Sequence, residues 1–307
     1  MGQMQLSPFE LIGQFAALQA RALPFALVTV VQTGGQKSRR LGAKMFVLKD
    51  GTCLGSVGYG SCKDQDIQKN ALRAIAEQTP LMLELGEEDP DSLEGGLSCS
   101  GHFTVLIEPV EQVFESWNDA LNLLNQRKSC VLITDLKTLE RRVSLDLSRC
   151  PETVMLSGNL LLERWIPEIQ VLVVGQTQVA GLLLKLARSM GYEAQFYDPA
   201  QHSLTELDPH TALVVTSHNY AEEIEVLSEA LQSEAGYLAV LSSQRRASTL
   251  RTYLQDLGFQ NTDRIHGPAG FDLGSNHPRT IALGILAELT QTLHGSRASE
   301  TFEIALL

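Results

Sequence analysis

In the second half of the chain, short apolar runs alternate with longer stretches in which apolar positions recur every three or four residues. The apolar runs predict strands over 169–174, 193–198, 211–216 and 236–241. The longer stretches predict helices over 178–190, 220–233, 244–257 and 278–293. This alternation is typical of a parallel sheet, which binds ligands beyond the carboxyl ends of its strands. The informative loops therefore follow Val174, Tyr197, Val215 and Leu241.

The first half of the chain has a less regular pattern. It predicts strands over 25–31, 43–57, 103–109, 130–135 and 141–147, the second being a hairpin that turns at Asp50-Gly51. Helices are predicted over 64–78 and 113–126, and a capping box of Ser7, Pro8 and Glu10 opens an earlier helix. We expect an α/β protein: a mixed α/β domain over 1–160, then a Rossmann-like domain with a mainly parallel sheet over 161–307. The boundary is expected within the proline-containing stretch 149–168.

The composition disfavours several classes of function. The 307 residues carry 24 Lys plus Arg against 36 Asp plus Glu, a net charge of −12, so neither nucleic acid nor an anionic membrane is expected as a partner. No apolar run is long enough to span a bilayer, and the N-terminal stretch does not resemble a secretory signal. Five cysteines without a dense framework favour free thiols and a cytoplasmic protein.

The segment LVVGQTQVAG, residues 172–181, resembles the phosphate-binding turn of a dinucleotide-binding domain. Gly175 has the position of the first glycine, and Ala180 lies where helix packs on strand. Thr177 stands where a second glycine lets the backbone approach a pyrophosphate, so ordinary dinucleotide binding is weakened unless its hydroxyl bonds a phosphate. Asp198, at the end of the next strand, is a candidate partner for a ribose. A tight connection without a ligand is an equally weighted alternative.

Two further glycine-rich loops each contain a cysteine. In GSVGYGSCKDQD, residues 55–66, three glycines lead into a helix that begins near Cys62, where the helix dipole would lower the pKa of the thiol and the main-chain N–H groups would suit an anion. In GGLSCSGHF, residues 95–103, Cys99 lies among small residues. The alternative for both is a small buried hydrophobic residue. Zinc is not expected, because no Cys-x-x-Cys spacing or paired histidines accompany these cysteines.

Three segments of the first half match the motifs of a known family. TGGQKSRRLGAKMFVLKDG, residues 33–51, is similar to its G-S-x-P-R-x-x-G-A-x-M, with a serine for the proline. GSVGYGSCKDQD resembles G-S-x-x-G-G-C-x-E with one inserted residue, and LSCSGHFTVLIEPV resembles L-x-C-G-G before a strand that ends in Glu-Pro. The matching residues are Gly35, Arg39, Gly42, Ala43, Met45, Gly60, Cys62, Asp64, Cys99 and Gly101.

The most specific match is IHGPAGFDLGSNHPRTIALGILAEL, residues 265–289, which is similar to H-x-P-x-G-x-D-I-G followed by P-x-E-I-A-x-S-I-x-A-E. Its matching residues include His266, Pro268, Gly270, Asp272, Gly274 and Pro278. VVGQTQVAG corresponds to G-A-G-H-V-A, so Thr177 replaces a glycine and Gln178 a histidine. VVTSH and LSSQRR correspond to T-H-D and G-S-x-R-R. By these motifs the chain is identified as a member of the XdhC/CoxI family of accessory proteins, which mature molybdenum hydroxylases such as xanthine dehydrogenase, aldehyde oxidoreductase and carbon monoxide dehydrogenase.

The resemblance implies a chaperone of which no catalysis is required. Such a protein holds the molybdenum cofactor, as molybdopterin or its cytosine dinucleotide, supports its sulfuration by a cysteine desulfurase and hands it to an apo molybdenum hydroxylase. A homodimer is a further expectation. Both forms of the cofactor carry phosphate, so a modified Rossmann turn can hold them without binding a nicotinamide. The expected cofactor contacts are Arg39, Gly60, Cys62, Asp64, Cys99, Gly175, Thr177, Gln178, Asp198, His218, Arg245, Arg246, His266 and Asp272.

Within this set, Cys62 and Cys99 are the candidates for contact with molybdenum or with transferred sulfur. The arginines would clamp phosphate, with a solvated surface charge as the alternative. For His266 and Asp272 the alternative is stabilisation of a turn. The substitution Gly175→Val is expected to collide with a bound phosphate with little loss of folding.

Two other functions stay open. An NAD(P)-dependent oxidoreductase would use the same Rossmann domain, but it needs the close approach of pyrophosphate that Thr177 obstructs. A scaffold would join the desulfurase to the apo-enzyme without binding cofactor, in which case the glycine-rich loops would be structural turns.

Overall fold

The computed structural model describes residues 8–20, 24–34, 41–57, 63–86, 102–110, 114–198, 202–217 and 219–294. The chain divides into two compact units between Pro167 and Glu168. The expected boundary after residue 160 lies slightly before this division, because the strand Leu160–Trp165 pairs within the first unit. Of the helices in these ranges, none combines the length and the apolar character needed to cross a membrane.

The described part of the first unit contains two antiparallel sheets, three α-helices and a short 3-10 helix, Leu147–Arg149. The first sheet consists of β1 (Phe25–Thr33), β2 (Lys44–Leu48), β3 (Cys53–Gly55), β4 (Leu81–Leu85) and β5 (Phe103–Val110), in the order β3-β2-β1-β5-β4. The second consists of β6 (Cys130–Asp135), β7 (Arg141–Ser144), β8 (Val154–Ser157) and β9 (Leu160–Trp165), in the order β7-β6-β9-β8. The helices are α1 (Pro8–Ala20), α2 (Lys63–Glu77) and α3 (Glu115–Asn125).

The strand β1 is apolar on both faces because both faces are covered. Ala26 and Val28 pack in the cluster that contains α2. Leu27 lies in a second cluster with α1, α3 and residues of the second sheet. Phe15 of α1 is central to this cluster, with its ring 5.1 Å from that of Trp117. Burial on both sides explains the nearly continuous apolar run that predicted this strand.

Two buried ion pairs connect the two sheets of the first unit. Lys44 of β2 pairs with Glu163 of β9, and Arg141 of β7 pairs with Glu108 of β5 at 2.5 Å. The four side chains are between 5% and 8% exposed. They line a cavity of about 10 Å³, together with apolar residues and Trp117. Each buried charge has an ion-pair partner across the two sheets, so removal of one member leaves the other buried without that partner.

The second unit is a parallel sheet with helices on both faces. Its strands are β10 (Gln170–Val174), β11 (Glu193–Phe196), β12 (Thr211–Val215), β13 (Tyr237–Val240) and β14 (Ile265–His266). Neighbouring strands in the order β11-β10-β12-β13-β14 are all parallel. The helices are α4 (Gln178–Ser189), α5 (Tyr220–Ala230), α6 (Gln244–Asp256) and α7 (Pro278–His294). The predicted Rossmann-like fold with a parallel sheet is confirmed.

The alternation of side chains along β10 sends them into two separate cores. Val171 and Val173 pack with α4 and α7. Leu172 and Val174 pack with α5 and α6. A helix layer on each face leaves only the strand ends available to a ligand.

The strand order reverses at β10. From β10 the chain crosses to β11 on one side and returns to β12 on the other side. The loops that leave the carboxyl ends of β10 and β12 therefore lead to opposite sides, and such a switch point opens a crevice where ligands bind in sheets of this kind. This places the candidate site next to Gly175 and Ser217.

Candidate functional site

Gly175 has a left-handed backbone that is imposed by the neighbouring loop. Its φ is +89°, and a Cβ atom there would lie 2.7 Å from the backbone nitrogen of Ser217. The hydroxyl of Thr216 ties the two loops together by donating to the carbonyl of Val174 at 2.9 Å. Glycine is thus required for the fold itself. The expectation that Gly175→Val would spare folding is wrong, because any side chain collides with the β12 loop before it meets a ligand.

Thr177 acts as the N-cap of α4. Its hydroxyl accepts a hydrogen bond from the N–H of Ala180 at 3.1 Å. A hydroxyl in this position satisfies one of the backbone donors that a helix leaves without a partner in its first turn. Within the described residues, the N–H groups of Gln178 and Val179 are left for an outside group, and the Gln178 side chain is exposed. The threonine therefore removes one N–H donor from the turn while the positive end of the helix dipole remains.

Asp198 lies just beyond β11, at the same edge of the sheet. Asp198 is half-buried, and its backbone oxygen lies 3.0 Å from Nδ1 of His202. The parallel pairing of β10 with β11, in which Val173 is opposite Phe196, sets this loop beside the turn at Gly175. Asp198 therefore lies at the same edge of the sheet as the turn at Gly175, and its role as a ribose partner stays a prediction.

The two arginines after β13 differ in their surroundings. Arg246 donates from Nη2 to both carboxylate oxygens of Glu223, each at 2.9 Å, and Glu223 is fully buried. Its guanidinium also lies 5.9 Å from the centre of the Tyr220 ring. Arg245, in the first turn of α6, is exposed. Much of the charge of Arg246 is already offset inside the protein, so Arg245 is the better placed of the two to meet an anion from solvent.

His266 lies in β14, at the edge of the sheet opposite β11, and Asp272 lies in the loop that follows it. His266, in β14, pairs with Ala239 of β13, and its Nδ1 lies 3.1 Å from Oε1 of Glu288. Asp272 is exposed and accepts from the N–H of Gly274 at 2.8 Å, a turn-stabilising contact. For Asp272 the geometry supports the structural alternative, and for His266 it shows a ring that is anchored by a carboxylate.

The first unit contributes less to a described site. Asp64 is half-buried in the first turn of α2. Four predicted site residues of this unit lie outside the described residues, namely Arg39, Gly60, Cys62 and Cys99, as does His218 of the second unit. In the ranges that the structure covers, no three His, Cys, Asp or Glu side chains come together to hold a metal ion.

The three described cysteines are packing residues rather than thiolates. Burial raises the pKa of Cys130 to about 11. Burial also raises the pKa of Cys53 and of Cys150, and the Cys150 thiol donates to the Glu152 carbonyl at 3.1 Å. Their chemistry differs from that expected of a cysteine at a helix N-terminus.

The sequence pattern does not predict a role for three polar residues that make hydrogen bonds or ion pairs inside the second unit. They are Ser217, Glu223 and Glu288. A signal existed for Glu288, because it lies among the apolar positions that α7 turns toward the sheet. A lone carboxylate there indicates a buried partner, but the identity of that partner depends on the fold.

Comparison with known proteins matches both units to one family. A model of the XdhC Rossmann domain matches residues 171–289, and a model of the XdhC and CoxI family matches residues 18–86. Together these matches span more than half of the chain. They agree with the family that the sequence motifs indicated.

Two relatives are similar over most of their length. The molybdenum cofactor insertion chaperone PaoD of Escherichia coli (strain K12) is 28% identical over 269 residues, which cover 86% of this chain and 81% of that protein. A protein of Bacillus subtilis (strain 168), named as a probable xanthine dehydrogenase subunit, is 24% identical over 315 residues, which cover 87% of this chain and 92% of that protein.

One solved structure shares the fold. It comes from Bacillus halodurans and is described as a xanthine dehydrogenase; it superposes with a TM-score of 0.72 at 21% identity and covers 96% of this chain and 98% of its own. At this identity the likeness shows the fold alone. The family models, with the motifs at His266 and Gly175, go further: the chain belongs to the XdhC/CoxI family.

Proposed function

We propose that this protein is a molybdenum cofactor insertion chaperone for an enzyme of the xanthine dehydrogenase type. The observation that carries the proposal is the similarity to an insertion chaperone over 86% of the chain, spanning both units. The second relative, whose name links it to xanthine dehydrogenase, supports the class of client. A chaperone of this kind binds and releases its cargo, so the protein needs no catalysis of its own.

The crevice at the carboxyl ends of β10 and β12 suits a phosphate of the cargo. The N–H groups of Gln178 and Val179 face beyond the first turn of α4, where the helix dipole favours an anion. Arg245 is an exposed cation at the start of α6, and Asp198 provides a carboxylate for a hydroxyl. These residues fit the phosphate end of molybdopterin or of its cytosine dinucleotide.

The same geometry is poorly suited to a nicotinamide dinucleotide. A close pyrophosphate contact uses a glycine at the second position of the turn, where this chain has Thr177. The hydroxyl of Thr177 already binds the N–H of Ala180, so one backbone donor for a pyrophosphate is occupied. This favours the chaperone over an NAD(P)-dependent oxidoreductase.

The finer features of the function belong to the same proposal. We infer that Cys62 and Cys99 contact molybdenum or the sulfur that a cysteine desulfurase supplies, and that His218 and Arg39 contribute polar contacts. The sulfurated cofactor is then handed to an apo molybdenum hydroxylase, of the xanthine dehydrogenase or aldehyde oxidoreductase type. The protein works in the cytoplasm, as a homodimer.

Anaerobic purification followed by analysis for molybdenum and bound nucleotide tests the proposal. Equilibrium titration of the purified protein with molybdopterin, its cytosine dinucleotide and NADH gives the affinities for comparison. Binding of either form of the cofactor in preference to NADH is the expected result. Tight binding of NADH without binding of either cofactor form would overturn the proposal, and binding of none of the three would overturn it in favour of the scaffold.

A further inference from the structure

The carboxylate of Glu288, on α7, lies within hydrogen-bonding distance of three groups. Oε1 of Glu288 lies 3.1 Å from Nδ1 of His266. Oε2 accepts from the Tyr237 hydroxyl at 2.5 Å and from the N–H of Gly270 at 2.8 Å. Burial, with the hydrogen bond to Glu288, raises the pKa of Tyr237, so that its hydroxyl stays protonated and donates.

This arrangement determines which nitrogen of His266 carries the hydrogen. An ionised carboxylate is only an acceptor, so Nδ1 must be the donor toward Glu288. In the neutral ring the lone pair then lies on Nε2. The His266 side chain is 31% exposed, and within the described residues its Nε2 makes no hydrogen bond. In the neutral ring, Nε2 is therefore an acceptor.

The loop after β14 is tethered to α7 without the histidine. A Cβ atom at Gly270 would lie 2.6 Å from the backbone nitrogen of Ile285, so the two segments are in direct contact. The N–H of Phe271 donates to the carbonyl of Gly284 at 3.2 Å. These contacts, with the Gly270 hydrogen bond to Glu288, hold the loop in place. The contact between His266 and Glu288 is therefore not needed to hold the loop against α7.

We propose that Glu288 is a positioning residue that fixes the Nδ1–H tautomer of His266, so that Nε2 accepts a hydrogen bond from an N–H or O–H group of the cargo. The inference rests on the proposed function, because the cargo is the molybdenum cofactor, whose pterin ring carries N–H donors. A carboxylate behind a metal-binding histidine orients the ring and sets its tautomer, and loss of that carboxylate weakens metal binding by about 10- to 100-fold. A hydrogen bond from Nε2 to the cargo depends on the same orientation and tautomer of the ring.

The tautomer is tested by nitrogen NMR on protein labelled with 15N-histidine. The signals of His266 are identified by their loss in His266→Ala. In the wild type at a pH where the ring is neutral, we expect a protonated Nδ1 and an unprotonated Nε2. The variant Glu288→Gln should show both tautomers, whereas Tyr237→Phe, which keeps the carboxylate, should retain the wild-type pattern. A protonated Nε2 in the wild type would overturn the proposal.

Binding of molybdopterin under anaerobic conditions tests the role of the lone pair. His266→Ala and Glu288→Gln should each weaken binding by about tenfold, and Tyr237→Phe by no more than about twofold. Wild-type affinity in His266→Ala would overturn this proposal and leave the chaperone function standing. If the wild type itself binds neither cofactor form, the proposed function fails, and the proposal fails with it. Should Glu288→Gln not fold, the wild-type tautomer and the affinity of His266→Ala still decide.

Discussion

The turn at Gly175 is built against the backbone of Ser217. The missing Cβ atom would come within 2.7 Å of the Ser217 nitrogen, in a residue whose φ of +89° already favours glycine. The two loops of the crevice therefore fix each other before any ligand binds. This contact shapes the floor of the candidate site and explains the glycine at the first position of the turn. At the second position, Thr177 caps α4 instead.

Gly175→Ala should destabilise the protein by about 1–3 kcal/mol, because the left-handed conformation and the clash both oppose a side chain. Gly181→Ala is the matched control, since Gly181 lies inside α4 and a Cβ atom there meets nothing within 4 Å. That control should be neutral or stabilising, by up to about 1 kcal/mol. The free energy of unfolding in urea measures both. Equal stability of the two variants would show that the loops adjust without cost.

Substitutions at Thr177 distinguish its effect on the stability of α4 from its effect on ligand access to the crevice. Thr177→Ala should cost about 1 kcal/mol because the Ala180 N–H loses its acceptor, and Thr177→Ser should cost little. Thr177→Gly should cost only a few tenths of a kcal/mol and should open the approach to a pyrophosphate. Thermal unfolding measures the first effect, and titration with NADH the second. Unchanged NADH affinity in Thr177→Gly would mean that another residue excludes the dinucleotide.

The fold of the second unit could be predicted because its strands are continuous apolar runs and its helices have a regular apolar period. The division after Pro167 falls within the stretch 149–168 where the boundary is expected, but residues 160–165 of that stretch form β9 next to β6, a strand that the sequence pattern does not predict. Its charged residues conceal the strand, and one of them, Glu163, is buried only because Lys44 lies opposite, far away in the sequence. Local patterns cannot supply such partners.

The candidate site could be predicted only in part. The turn at Gly175 and the approach of Asp198 follow from the order of elements and the position of glycine. The roles of Arg246 and His266 depend on carboxylates 23 and 22 residues away along the chain, which the fold brings within hydrogen-bonding distance. These pairings arise from helix packing, so no motif in the sequence contains them.

The arginines of α6 should divide between stability and binding. Arg246→Ala leaves the Glu223 carboxylate buried without its cation and should cost about 2–4 kcal/mol of unfolding free energy. Arg245→Ala removes an exposed charge and should leave stability within about 0.5 kcal/mol. Only Arg245→Ala should then weaken cofactor binding in a protein of normal stability, as measured by chemical denaturation and titration. A stable Arg246→Ala variant would show that Glu223 finds another partner.

The buried ion pair of Lys44 and Glu163 tests how much the contacts between the two sheets of the first unit contribute to stability. Lys44→Met should cost about 3–5 kcal/mol, because Glu163 stays buried without a cation. The double variant Lys44→Met with Glu163→Leu should regain much of that loss. Urea unfolding of the wild type, Lys44→Met, Glu163→Leu and the double variant gives the coupling energy of the pair in a double-mutant cycle. Additive losses would mean that the two side chains do not depend on each other.

Thiol reactivity should distinguish the cysteines of the first unit. Burial raises the pKa of Cys130 to about 11, so at pH 7 to 8 little of it is the reactive thiolate, and alkylation of the native protein should be slow. Cys53 and Cys150, whose pKa values are also raised, should behave in the same way. Cys62 is next to the first residue of α2 in the sequence, and it should be alkylated first. Its alkylation rate should rise with pH and reach its plateau at a lower pH than the rates of the other cysteines, because its thiol pKa is lower.

Mass spectrometry of the alkylated protein at a series of pH values follows each site separately. Cys62→Ala should fold normally and reduce activation of a client hydroxylase, while Cys130→Ala provides the matched control for loss of a thiol elsewhere in the chain. If Cys62 reacted no faster than Cys130, and Cys62→Ala activated the client as well as the wild type, Cys62 would be a packing residue. The cargo would then be held through its phosphate, at the start of α4, without a thiolate contact to the metal.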